Sequence, residues 1–178
     1  MGKIYFISGV SGVGKTSTLK HLKKVLDSNL YEVRDLDERG VPDGGGFDWL
    51  NNETRYWLDV AKDNTEKGKH TVICGFANPE LFEKVHKKDT DVPAHIILLN
   101  ASPDTIRARL KGRHNTPESI KEIERASSVS LEEHMENNAS FSIELKKIFA
   151  ERNLPVVETD NKNPEEVAQE IFTVIKDL

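Results

Sequence analysis

Cysteine occurs once in the 178 residues, at Cys74, which excludes an internal disulfide framework and a zinc-type thiolate cluster. The six histidines show no paired metal spacing either. No apolar run approaches the roughly 20 residues needed to span a bilayer. The apolar part of Ile4-Tyr5-Phe6 is too short for a secretory signal, and position 6 is not the Ser or Thr of a myristoylation signal. Basic residues are not in excess. Twenty-five Lys and Arg against 30 Asp and Glu leave a net charge of −5, without the basic face of a broad nucleic-acid footprint. These absences lead us to expect a cytoplasmic protein that binds neither membrane nor nucleic acid.

What is present describes an ordinary globular chain, 31% charged and 37% hydrophobic, of a length suited to one domain over residues 1–178. Five short runs are apolar on both faces and are expected to form buried parallel strands. They are Ile4–Ser8, Glu32–Leu36, Thr71–Gly75, Ala94–Leu99 and Pro155–Glu158. Helical stripes alternate with them. Asn78-Pro79, Ser102-Pro103, Thr116-Pro117 and Asn163-Pro164 each put a side-chain oxygen at the N-cap and proline at the first helical position. Alternating strands and helices predict an α/β fold with a parallel sheet covered on both faces.

Gly9-Val10-Ser11-Gly12-Val13-Gly14-Lys15-Thr16 fits the phosphate-loop pattern G-x-x-x-x-G-K-[ST] at every specified position, between an apolar strand and an amphipathic helix. Glycines allow successive backbone N–H groups to turn inward, and the helix N-terminus adds partial positive charge. Lys15 is expected to reach the β- and γ-phosphates of ATP, and the Thr16 hydroxyl to ligate Mg²⁺, with Ser17 following in the same turn. A glycine-rich turn that merely joins strand to helix leaves Lys15 and Thr16 unexplained.

Three further features bear on the reaction. Asp35 and Asp37 stand at the end of the second strand. Alternation sends them to one side, so one acid suits a Mg²⁺-bound water and the other an acceptor hydroxyl. A solvated acidic turn explains them equally well. Arg109 and Arg113 close the helix after the fourth strand on one helical face. They are placed to stack on adenine and to neutralise phosphate charge, or simply to complement a helix dipole. Arg125 lies in the following helix and Arg107 is a weaker candidate. The Asp160-Asn161-Lys162-Asn163 turn, with Asn161 near adenine or ribose, is also a plain N-cap turn.

Together these motifs resemble the P-loop small-molecule and nucleotide kinases, the shikimate, gluconate and adenylate kinase group, in motif order over nearly the whole chain. The resemblance implies a three-layer P-loop fold, with a five-stranded sheet in the order 2-3-1-4-5. It also implies a substrate-binding insert at about 38–69 and an arginine-bearing lid at about 109–128. Asp35 and Asp37 look like the acidic pair of shikimate kinases, which serves metal and substrate hydroxyl. Adenylate kinases carry Asp-Gly-Phe-Pro-Arg after their third strand, whereas this chain reads Cys74-Gly75-Phe76-Ala77-Asn78. The missing acid moves the metal-facing carboxylate to Asp35 and leaves Asp37 as base, and the missing arginine counts against a nucleoside monophosphate. Gly75 stands alone where shikimate kinases have a run of glycines about their substrate.

Within the insert, Gly44-Gly45-Gly46 reads as a hinge and Phe47 to about Glu66 as a helix. The family's insert often holds the acceptor through an arginine, so Arg55 with Arg39 is expected to meet an anionic group on it. Trp49, Trp57 and the Cys74 thiol are expected in the core. The reading is an ATP-dependent transfer of the γ-phosphoryl to a hydroxyl or phosphate of a small acceptor. The alternatives are a nucleoside or nucleotide kinase and a slow NTPase acting as a nucleotide-gated binding protein. The guanine-reading Asn-Lys-x-Asp is absent, since the chain has Asn161-Lys162-Asn163-Pro164.

Overall fold

A computed structural model describes residues 2–178. Strands β1 (Ile4–Ser8), β2 (Tyr31–Asp35), β3 (His70–Cys74), β4 (Ala94–Asn100) and β5 (Val156–Glu158) form one sheet in the order β2-β3-β1-β4-β5. Every pairing is parallel. The expected order is therefore observed. The bounds of β2 and β3 shift back by one residue. At β2 the signal was weak because an edge strand is only half buried, and its Glu32 and Arg34 pair at 2.6 Å instead of packing.

The helices are α1 (Lys15–Val25), α2 (Phe47–Glu66), α3 (Pro79–Asp89), α4 (Pro103–Arg113), α5 (Pro117–Ser127), α6 (Leu131–Glu151) and α7 (Pro164–Asp177). Right-handed crossovers send α1 to one face of the sheet and the helices that return toward β4 and β5 to the other. The core is continuous across the sheet, from Leu22 and Ile171 through Phe6, Ile73 and Ile97 to Leu58, Leu145 and Phe149. Trp57 belongs to it, donating its indole N–H to the Leu36 carbonyl at 3.2 Å. No helix of the described residues is long and apolar enough to cross a membrane.

Helix starts separate into two kinds. Asn78, Ser102, Thr116, Ser130 and Asn163 each accept a backbone N–H into a side-chain oxygen, a cap worth about 1 kcal/mol apiece. The starts of α1 and α2 are glycines, Gly14 and Gly46, with no side-chain cap. Both of these open at the carboxyl edge of the sheet, where β1 and its neighbours leave in opposite directions and α/β proteins bind ligands.

Candidate active site

The phosphate loop is shaped by what lies behind it. Gly12 and Gly14 adopt positive φ of 89° and 103°, and a Cβ at Gly12 would come within about 3.2 Å of Ile106 and Leu110 in α4. Only glycine satisfies both demands at Gly12. The loop is then pinned from the far side. Thr159, just past β5, donates its hydroxyl to the Val13 carbonyl at 2.9 Å. Arg109 reaches the carbonyls of Gly12 and Val13 and both the hydroxyl and the carbonyl of Thr159. Arg109 is thus a buttress inside α4 and not the free arm of a lid. Its side chain still borders a second hollow of about 320 Å³, together with Gly14, Ser17, Arg113 and Lys162.

Lys15 folds back over its own loop and donates to the carbonyls of Gly9 at 2.7 Å and Val10 at 2.9 Å. Burial pushes its pKa down to about 8, opposed by the charges of Asp37, Asp35 and Cys74 and reinforced by Arg113. The empty protein gains stability as pH rises from about 8 toward the ordinary lysine value, because the unfolded chain binds the extra proton there. A polyphosphate restores the charge. At pH 8, nucleotide binding is expected to take up about half a proton at Lys15, and much less at about pH 7. Calorimetry in buffers of different ionisation enthalpy reads the uptake, which should vanish in Lys15→Ala.

The acidic pair meets the loop from β2. Asp35 is the last residue of the strand and its carboxylate accepts the Asp37 backbone N–H at 3.1 Å. Strand alternation ends there, so a turn and not the pleat brings the two acids together. Burial raises the Asp37 pKa, the Asp35 charge raises it further, Lys15 opposes and Glu53 adds to the rise. Asp37 shares a cleft with Lys15, and Asp35 is not among the residues that line it. Among the described residues no three His, Cys, Asp or Glu side chains are arranged so as to hold a metal ion by themselves. A cation beside Thr16 and Asp35 would therefore need phosphate oxygens as further ligands, which suits Mg²⁺.

That cleft measures about 530 Å³ and opens from Gly9, Val10 and Ser11 toward the insert. Four aromatic rings line it: Phe47 and Trp49 from the start of α2, Phe76 after β3, and Phe141 from α6. Phe76 and Phe141 are 5.7 Å apart between centroids. Trp49 thus faces the cleft, contrary to its expected place in the core, because it precedes the helix turn that carries Trp57 inward. The opposite wall is α6. Asn138 accepts the Ser11 backbone N–H at 2.9 Å and donates to the His134 carbonyl at 2.8 Å. His134 and Asn137 border the same space. Sequence reading missed this wall, although His134, Asn138 and Phe141 stand at i, i+4 and i+7, one helical face.

Other expected residues lie elsewhere. Arg55 pairs with Asp89 of α3 at 3.2 Å and does not line the cleft, because its helical face turns to α3. Arg39 pairs with Glu53 at 3.4 Å and lies 3.8 Å over the Tyr56 ring. Gly75 is structural. A Cβ there would meet Leu36 at 2.5 Å, and its N–H bonds the Ile7 carbonyl. Arg125 pairs with Asp43 of the insert at 3.1 Å. Arg113 is exposed on the rim, and Arg107 is taken by Glu136 and Asp104. Asn161 takes a positive φ of 56° and is exposed, beside Lys162 of the second hollow. Cys74 is buried, with burial pushing its thiol up to about 12.

Residues 6–130 match the protein family described as AAA domain. A Pyrococcus furiosus protein described as "Putative adenylate kinase" is 29% identical over 175 residues, 97% of this chain and 83% of that one. A Thermococcus kodakarensis protein of the same description is 30% identical over 179 residues, covering 97% and 85%. Shikimate kinase from Acinetobacter baumannii, solved with shikimate, superposes with a TM-score of 0.58 at 17% identity over 99% of this chain and 94% of its own. The Mycobacterium tuberculosis APS kinase in complex with AMPPNP and APS gives 0.61 at 17% over 98% of each. At that identity the two structures speak for the fold alone.

Proposed function

The chain belongs to the AAA-domain family and to the P-loop nucleotide and small-molecule kinases, and from that membership we propose that it moves the γ-phosphoryl of ATP to a small acceptor bound in the 530 Å³ cleft. One observation carries the reading. Lys15 of the phosphate loop and Asp37 of the acidic turn line the same cleft, so a donor-side cation and an acceptor-side carboxylate share one space.

In the reaction the acceptor oxygen attacks the γ-phosphorus while the bond to the β,γ-bridging oxygen breaks, and ADP leaves with that electron pair. Asp37 orients the hydroxyl and takes its proton, which a carboxylate of raised pKa is better able to hold. Lys15 exchanges its two carbonyl partners for β- and γ-phosphate oxygens. The uncapped N–H groups at the start of α1 give the phosphates further donors. Thr16 and Asp35 would hold Mg²⁺, whose chemistry is to neutralise charge on the β- and γ-oxygens. The second hollow, between Arg109, Arg113 and Lys162, suits adenine and ribose. The insert at 38–69 then serves the acceptor. In the 109–128 stretch, the residues beyond Arg109 serve as the lid, with Arg113 and Arg125 free to turn toward phosphate once their present surroundings rearrange. Cytoplasm, which supplies ATP, suits this reading.

An ATP-consumption screen over sugars, hydroxy acids, nucleosides and nucleotides tests it. The expected result is a phosphorylated product from one acceptor class, absent with Lys15→Ala. Uniform slow hydrolysis without acceptor-dependent product would favour the nucleotide-gated binding protein instead.

A further inference from the structure

The acceptor side of the cleft is aromatic and short of positive charge. A third of the chain's aromatic rings line this one space. Phe47 is 66% exposed and so contributes little to the core. It follows the three glycines of the insert, and the ring has room to turn. Flat faces at Trp49, Phe76 and Phe141 suit a planar ring, which they hold by stacking and apolar contact.

Charge narrows the class further. Among the described residues, Lys15 is the only cation that lines the cleft, and the γ-phosphate claims it. Three nearby arginines are matched by carboxylates, Arg39 by Glu53, Arg55 by Asp89 and Arg125 by Asp43. Arg113, unpaired among the described residues, borders the second hollow on the nucleotide side instead of this cleft. The uncapped start of α2 could have favoured an anion, but Asp48 stands in its first turn. Asp37 itself is an acid crowded by Asp35 and Glu53. The remaining polar wall is neutral, with Asn137, Asn138 and a His134 whose pKa is lowered by burial and by His114 and Arg113. A phosphate or carboxylate on the acceptor would meet repulsion and no paired donor.

We propose that the acceptor is an uncharged hydroxyl compound built on a flat ring, a nucleoside or a molecule of that shape, with its ring among Trp49, Phe76 and Phe141 and its hydroxyl at Asp37. This rests on the phosphotransfer reading above. The amide edge of Asn137 then faces the polar edge of the ring, while Asn138 stays with Ser11 and His134. The step is the one already written, with the ring-bearing alcohol supplying the attacking oxygen.

The test uses the full chain with ATP and Mg²⁺, following product by chromatography. Five nucleosides are compared with their matching 5′-monophosphates and with shikimate and gluconate. Nucleosides are expected to give monophosphate product with kcat/KM at least about tenfold above their phosphorylated partners. Faster turnover of the monophosphates or hydroxy acids would overturn the inference and leave the kinase reading standing. Absence of acceptor-dependent product from every compound would overturn both. Trp49→Leu and Phe141→Leu are each expected to raise the acceptor KM about tenfold while kcat falls less than about threefold. Folding is checked by melting temperature, and two folded variants with unchanged acceptor KM would also overturn the inference.

Discussion

Replacing Lys15 with alanine is expected to lower acceptor-dependent phosphoryl transfer by about 10³-fold. The magnitude follows from the lack of a substitute. No other cation lines the cleft among the described residues, and Arg109 is committed to the carbonyls behind the loop. Arg113 on the rim recovers part of the charge but not the position between the loop and the γ-phosphate. Nucleotide affinity falls as well, because the transferred and bridging oxygens lose a desolvated partner. The fold survives. The ammonium is held against its preference for water, as its lowered pKa indicates, so its removal costs the empty protein little. ADP release with a saturating acceptor, a nucleotide titration and a melting curve together check the three parts. Activity within about tenfold of the parent would defeat the assignment of Lys15 to the transferred phosphate.

Asp37→Asn is expected to lower kcat by about 10²- to 10³-fold, with a smaller change in acceptor KM. Asparagine keeps the size and a hydrogen-bond acceptor but cannot take the proton. The pH profile carries the stronger signature. Because burial, Asp35 and Glu53 raise the Asp37 pKa, activity in the parent should fall as pH drops through a value above the ordinary aspartate range. That acid limb should disappear in the variant. The same shift sets a stability window of opposite sense. The folded state binds more protons than the unfolded one between the two pKa values, so the empty protein becomes more stable as pH falls through that interval. Asp35→Asn should behave differently, raising the Mg²⁺ concentration needed for half-maximal rate. If both variants changed only the Mg²⁺ requirement, the base would have to be sought elsewhere.

The sheet was legible because its signals are local. Both-face apolar runs marked β1, β3 and β4, and four Asx/Ser/Thr-Pro pairs marked helix starts at Pro79, Pro103, Pro117 and Pro164. The phosphate loop was legible for the same reason, since its geometry is written in eight consecutive residues. The acceptor wall was not. Asn138 meets Ser11 across 127 positions of chain, and nothing in either neighbourhood announces the other. Arg55 erred in the opposite direction. A lone arginine on an insert helix carries no mark of which face it occupies, and here the packing of α2 against α3 assigned it to Asp89. Trp49 and Trp57 are two turns of one helix apart, and only the tertiary packing decides which of them meets solvent.

The contacts that Lys15 and Asn138 make with the loop change what nucleotide arrival means. Gly9, Val10 and Ser11 do not wait with bare polar groups, since an ammonium covers two carbonyls and a carboxamide covers one amide. A nucleotide phosphate would therefore enter as a competitor, against two carbonyls for the Lys15 ammonium and against Asn138 for the Ser11 amide. Such an exchange gives up part of the raw attraction between phosphate and loop. In return, the empty loop is held in its shape by three internal hydrogen bonds.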